Sequence, residues 1–486
     1  MTHQSDETKP KMRPVRLGTQ APPRFLFWGV ILLFVLFIAG FIGGIWAFNT
    51  LLTTGQQVRV INNAPFMEVF LQRNPTPQGG VLPTVNPDLS SEGDALDLLN
   101  MPLGNSATTP TASPDDEASQ DESVAPEQAT MLPTNTPLPT NTPLPTNTPL
   151  PTNTPLPAEG DANALPIQAV ANIPDAHRNN GFVWAQQTWN NCGPATITTA
   201  LSFFGWQEDQ EYAKAQLRPN REDKNVSPSE LVNFVNDETG VRAITRMGGT
   251  IPLLKALIAA EFPVIVERGM YFEAYDWTGH YQALVAYDDL QSGFFAYDSF
   301  LGHSGGAGVL QPYVELDTTW RHFNRTFIVV YNPEDEPRLQ AILGELWDEQ
   351  RADELAAETA QQEASLNVDD AFAWFNLGTS LTELGRYEEA TRAFDRAFVL
   401  DTLPWRMLWY QFNLFESYYE VGRYEEIIAL ANANLQAAEE LEESYYWRAL
   451  AQAGLGNISE AASDLRTALL YNPNFDAART ALDNIQ

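Results

Sequence analysis

Gln186-Gln187-Thr188-Trp189-Asn190-Asn191-Cys192-Gly193-Pro194-Ala195 holds the only cysteine in a chain of 486 residues. From Thr196 to Gly205 apolar residues recur at Ile197, Ala200, Leu201 and Phe204, the spacing of one helix face, and Gly205 supplies a stop. The pattern predicts a helix that begins near the cysteine. Pro194 suits its first turn, where the missing N–H is one that has no helical partner in any case. A thiol at a helix N-terminus feels partial positive charge, which favours thiolate and lowers its pKa. That is what a nucleophile requires. A glutamine shortly before it, Gln187 or Gln186, can bring its side-chain N–H₂ beside the backbone N–H of Cys192, and together they form an oxyanion hole.

A cysteine nucleophile also needs a base. His280, in Gly279-His280-Tyr281, stands at the start of a strand-like run, and a second run ends in Tyr297-Asp298-Ser299. Asp288-Asp289-Leu290-Gln291-Ser292-Gly293 between them reads as a turn, with its two aspartates as turn formers. Centred on residue 289, this hairpin places His280 directly opposite Asp298, where a carboxylate can orient an imidazole and stabilise its cation. His303 and His322 read as exposed or structural, and one cysteine with scattered histidines has no metal-site spacing, so no cofactor is expected.

The Q-x4-N-C-G-P-A segment, the helix after it, and the G-H-Y strand with its downstream Y-D-S resemble the bacterial cysteine peptidases of family 39, the bacteriocin-processing type. The resemblance covers residues 165–335 and implies a papain-like α+β peptidase domain. It implies Cys192 as nucleophile, His280 as general base and acid, Asp298 as its orienting partner and Gln187 as oxyanion donor. Papain-type spacing points instead to Gln186, so both glutamines stand. Two features depart from the family. Ser299 follows Asp298 where transporter-linked members often have proline, and no nucleotide-binding or multi-span transporter region is present. Cleavage of double-glycine leaders during export therefore does not carry over.

The rest of the chain divides by composition. Residues 336–486 read as an all-α tetratricopeptide solenoid: Trp374, Leu377, Gly378, Gly385, Tyr387, Ala390 and Phe394 define one unit. Phe415, Tyr418, Gly422 and Tyr424 mark a second, and Tyr445, Ala449, Gly456, Ala461 and Pro473 a third. Gly385, Gly422 and Gly456 lie 37 and 34 residues apart, a period of 34 with a short insertion after the first unit. Gly344, Ala356 and Ala360 hint at a degenerate unit ahead of these. Such a solenoid is expected to bind a peptide or partner protein. Its acidic balance, 26 Asp and Glu against 10 Arg from residue 337 on, is a weak pointer to basic peptides.

Residues 49–164, rich in Pro, Thr, Ser and acids, read as a disordered linker. Inside it PTNTPL runs four times from Pro133 to Leu156, enough polyproline II to span roughly 75 Å. Phe25–Phe48 carries no charge and is long enough to be a transmembrane helix. Lys9, Lys11, Arg13, Arg16 and Arg24 precede it, so residues 1–24 are expected to be a cytoplasmic tail and everything after residue 48 extracytoplasmic. A formal net charge of −34 argues against nucleic acid as a partner. The whole reads as a multidomain, membrane-anchored cysteine peptidase acting on peptides, with a solenoid for substrate or partner. The rival is a non-catalytic surface scaffold built on the same fold.

Overall fold

The computed structural model describes residues 40, 43, 44, 95–103, 173–220, 222–272 and 275–485. The expected tail and membrane span fall almost wholly outside these, as does most of the expected linker. No helix among the described residues is long and apolar enough to cross a membrane.

Three helices follow a short strand, β1 (Ala176–Arg178): α1 (Cys192–Ser202), α2 (Gln210–Leu217) and α3 (Pro228–Glu238). Next come β2 (Arg242–Arg246), α4 (Ile251–Ala259), β3 (Val264–Phe272), β4 (Tyr275–Asp288), β5 (Gly293–Asp298), β6 (Val309–Pro312), α5 (Tyr313–Trp320), β7 (Phe327–Tyr331) and α6 (Glu336–Leu343). The strands form one antiparallel sheet in the order β2-β7-β3-β4-β5-β6, with β1 added beside β4. Alternate residues of the central strands go to opposite faces. Ile265, Tyr281, Ala283 and Ile328 pack against Ile197, Leu201, Leu231 and Phe234 of α1 and α3. Val264, Val266, Leu284 and Val329 pack against Leu254, Leu257, Trp320 and Leu339 on α4, α5 and α6. Burial on both faces explains why these strands are continuous apolar runs.

β3 and β4 run longer than their sequence suggests, so His280 lies within β4 and not at its start. Gly269 and Gly279 face each other in this extension. A Cβ on Gly269 would lie 2.2 Å from both His322 Nδ1 and Trp277 Nε1, so the glycine is the condition for that packing. The β4–β5 register also differs from expectation. Asp298 pairs with Gln282, not His280, and the ladder shifts between Leu284 and Ala286. On the turn side the pairing lies three residues from expectation, as in Asp288 with Gly293; the bulge takes back one, so Asp298 ends two residues along and side chains keep the face expected for them.

The solenoid follows as α7 (Glu349–Leu366), α8 (Ala371–Glu383), α9 (Tyr387–Val399), α10 (Asn413–Glu420), α11 (Tyr424–Ala437), α12 (Glu442–Gly454), α13 (Ile458–Tyr471) and α14 (Asp476–Ile485). Its small residues are places of close approach. A Cβ on Gly378 would meet the Phe394 ring at 2.8 Å, and one on Gly454 the Tyr424 ring at 2.5 Å. The helix 336–343, assigned from sequence to the repeats, belongs by packing to the sheet: Leu339, Ile342 and Leu343 lie in its core. α7 is shared. Ala352 and Leu355 pack on the sheet side, whereas Ala357, Ala360 and Ala364 enter the solenoid core.

One part of the expected linker has structure. Residues 95–103 form a turn of helix, with a 3-10 segment at Asp97–Asn100, and Ala95, Leu98 and Leu103 are buried in the solenoid core.

Candidate active site

α1 begins at Cys192 itself, with Asn191 as its N-cap residue. The turn leading in is held from α2 and the loop beyond it. Gln210 Oε1 accepts from Thr188 N at 2.8 Å and Asn191 Nδ2 at 2.7 Å, and Gln210 Nε2 donates to Gln186 O at 2.6 Å. The Arg218 guanidinium, fully buried, donates to Trp189 O at 3.0 Å and Asp223 O at 2.8 Å. Asn190 takes a left-handed φ of 51°, a conformation that asparagine tolerates better than most residues. The nucleophile loop is thereby fixed before any substrate arrives.

His280 Nε2 lies 3.1 Å from Asp298 Oδ1, which leaves Nδ1 for the thiol, and the Cys192 and His280 side chains are hydrogen-bond partners. Since Asp298 pairs with Gln282, it meets His280 on the diagonal, a separation that long side chains span. Asp298 is fully buried and well supplied. Phe300 N and Leu301 N donate to Oδ1 at 2.7 Å, and Gln282 Nε2 donates to Oδ2 at 2.6 Å.

Charge follows from these contacts. Burial pushes the Asp298 carboxyl up, but the His280 charge and hydrogen bond, with the Gln282 and Leu301 donors, bring it down to about 2. Burial pushes His280 down, and the Asp298 charge with both hydrogen bonds raises it to about 10. For Cys192, burial again opposes ionisation. The hydrogen bond and charge of His280, the Tyr281 backbone N–H and the Arg218 charge outweigh it, so the thiol is lowered. Glu267, opposite Tyr281 on β3, is pushed well above the carboxylate range by burial.

The glutamines separate clearly. Gln187 is half-buried; its backbone N–H donates to Ser299 O at 2.9 Å and its Oε1 accepts from Ser299 Oγ at 2.8 Å. Both contacts tie Gln187 to the residue that follows Asp298. Gln186 has an exposed side chain. Ser299, a departure from the family pattern, is thus the residue that grips Gln187.

Sequence reasoning missed three buried polar residues. Gln282 and Arg218 are described above; Arg268 donates from Nη1 to Gln282 Oε1 at 3.3 Å and also to Gln311 Oε1. Gln282 carried a signal, since it follows His280 by two on a strand and must share its face. His322 is structural: buried, stacked on Phe372 at 3.9 Å and accepting from Trp277 Nε1 at 3.0 Å, it is held at about 4 by burial and nearby arginines.

The solenoid reaches both sides of this site. The insertion after its first unit, residues 400–412, brings Tyr410 to Thr278 Oγ1 at 2.8 Å and Trp405 Nε1 to Asp276 Oδ2 at 2.6 Å, on the strand of His280. From the far end, Glu443 accepts from Asn225 Nδ2 at 3.2 Å and Asn474 Nδ2 donates to Gln216 O at 2.9 Å, near the helices on the Cys192 side.

Residues 180–326 match the model of the Peptidase C39 like family, and residues 371–402 and 442–475 match tetratricopeptide-repeat models. The chain carries a C39-like peptidase domain followed by tetratricopeptide repeats. Among solved structures, one described as a C39-like peptidase from Bacillus anthracis shares 14% identity, covering 32% of this chain and 96% of that chain, with a TM-score of 0.27. Another, the MamA RS-1 ArsTM double mutant, shares 19% identity over 28% of this chain and 74% of that chain, with a TM-score of 0.25. No curated protein matches the chain. All three members of the Cys192, His280 and Asp298 constellation fall within the span of the C39-like domain.

Proposed function

We propose that the C39-like domain is a cysteine peptidase acting through Cys192, His280 and Asp298, and that the tetratricopeptide region brings it a substrate or partner protein. The observation that carries this is the continuous contact from thiol to imidazole to buried carboxylate, with the thiol at a helix start. In the resting state the pair is thiolate and imidazolium. The thiolate attacks a peptide carbonyl carbon, and the oxyanion takes hydrogen bonds from Cys192 N–H and Gln187 Nε2. His280 passes its proton to the leaving amine. Water then attacks the thioester, giving its proton to His280 and releasing the acid product. Residues 25–48 serve as the membrane anchor in this proposal, with the enzyme on the extracytoplasmic side.

Iodoacetamide alkylation against pH tests the ion pair. In the wild-type chain the thiolate limb is expected below the ordinary thiol value of 9.0, with a change of rate near pH 10 as His280 loses its proton. His280→Ala should lose at least about tenfold in reactivity at neutral pH and shift the limb upward. An unshifted limb would favour the scaffold reading. For the oxyanion donor, Gln187→Ala is expected to lower kcat by about 10²–10³ with little change in KM. Gln186→Ala should stay near wild type; the reverse ranking in steady-state peptide hydrolysis would move the assignment to Gln186.

A further inference from the structure

Residues 95–103 sit on the solenoid as a peptide sits on a receptor. Leu98 and Leu103 are buried anchors, Leu96, Leu99 and Met101 pack against the same core, and Met101 N closes the turn on Leu98 O at 3.3 Å, with Pro102 following. The backbone of the segment is held by side chains from α7 and from the turn that leads into α9. Gln361 on α7 donates through Nε2 to Leu98 O at 2.6 Å and to Met101 O at 3.0 Å. Arg386, just before α9, donates to Pro102 O at 3.4 Å. Gln361 is 263 positions from Leu98 in the chain, so this contact owes nothing to local connection. Apolar anchors, Leu98 on a helical turn and Leu103 just after it, with the carbonyls of the segment caught by polar side chains, are features of peptide-in-groove recognition.

We propose that α7 and α9 form a peptide-recognition site whose resident occupant is residues 95–103, and that a partner protein binds there by presenting a short leucine-rich turn followed by proline in its place. Attachment in the same chain gives the resident an effective concentration in the millimolar range, so an outside peptide has to compete with it. The site is independent of the thiol chemistry.

The test uses the full chain carrying Cys192→Ala, so that no probe is cut, with and without Leu98→Asp and Leu103→Asp to empty the site. The probe is a fluorescent peptide of residues 94–104, followed by anisotropy. The emptied chain is expected to bind it at least about tenfold more tightly than the chain with its own segment in place. Adding Gln361→Ala to the emptied chain should weaken binding about tenfold, since two carbonyls lose their donor. Absence of binding to an emptied chain that melts as the parent does would overturn the proposal, as would equal binding to both forms. A chain that no longer folds without the two leucines also overturns it, because the segment is then core and not ligand.

Discussion

Asp298→Ala is expected to cost about 3–5 kcal/mol of stability in urea unfolding and to lower kcat/KM by about 10³-fold or more. The carboxylate is fully buried, and its two oxygens take His280 Nε2, Phe300 N, Leu301 N and Gln282 Nε2. Deleting it strands four donors and leaves the His280 cation without a counter-charge. Asp298→Asn separates the two effects. Its Oδ1 can still receive His280 and both backbone N–H groups, so folding is largely kept, while the charge that holds His280 at about 10 is gone. The alkylation limb of Cys192 should then move up in pH. If Asp298→Ala unfolds within about 1 kcal/mol of wild type, the carboxylate does not anchor the buried donors around it.

The same pair sets a pH window. Asp298 is at about 2 in the folded chain against an ordinary 3.8, so its contribution to stability is present above 3.8 and is lost as pH falls toward 2. His280 is at about 10 against 6.5, so its contribution is complete below 6.5 and is lost as pH rises through 10. Both are in full force only between these limits.

Cys192→Ala is the second large effect. Hydrolysis of peptides by the full chain should fall by about 10⁴-fold or more, since no other group in the site can form the thioester. Stability should change by less than about 1 kcal/mol, because the side chain is small and only half-buried. Activity of the alanine variant equal to wild type, measured by mass spectrometry of peptide products, would end the case for a peptidase. Product masses would also reveal amide transfer, in which an amine and not water resolves the acyl-enzyme.

Much of the site could be read in the sequence because its signals are local. Helix start, proline, glycine stop and cysteine all fall within residues 191–205. The hairpin between His280 and Asp298 was legible in parity but not in register, because the ladder closes at Asp288 and Gly293, three residues from the expected centre, and the bulge at Val285 that takes one back has no marker such as glycine. A shift of two keeps the face, so the partnership held while the pairing changed. The repeats were legible because their glycines carry fixed duties: Gly378 answers to the Phe394 ring, and Gly385, Gly422 and Gly456 all take positive φ between paired helices. What could not be read was how the solenoid folds back. The contacts of Tyr410 with Thr278 and of Glu443 with Asn225 join residues more than a hundred positions apart, and neither end has a periodic signature. The leucines of residues 95–103 were too few to stand out from their acidic, proline-bearing surroundings.

That docked segment also alters what the PTNTPL run can do. A mast needs its two ends on different objects, yet the run lies between Leu103 and Ile173, both of which belong to the same folded body. While the segment stays seated, the chain leaves this body at Leu103 and is back in it at Ile173, so extra hexads between the two add nothing to the distance from residue 94 to the enzyme. Under the anchoring proposed for residues 25–48, the tether of the enzyme is then residues 49–94 alone. Release of the segment would pay out the whole length at once.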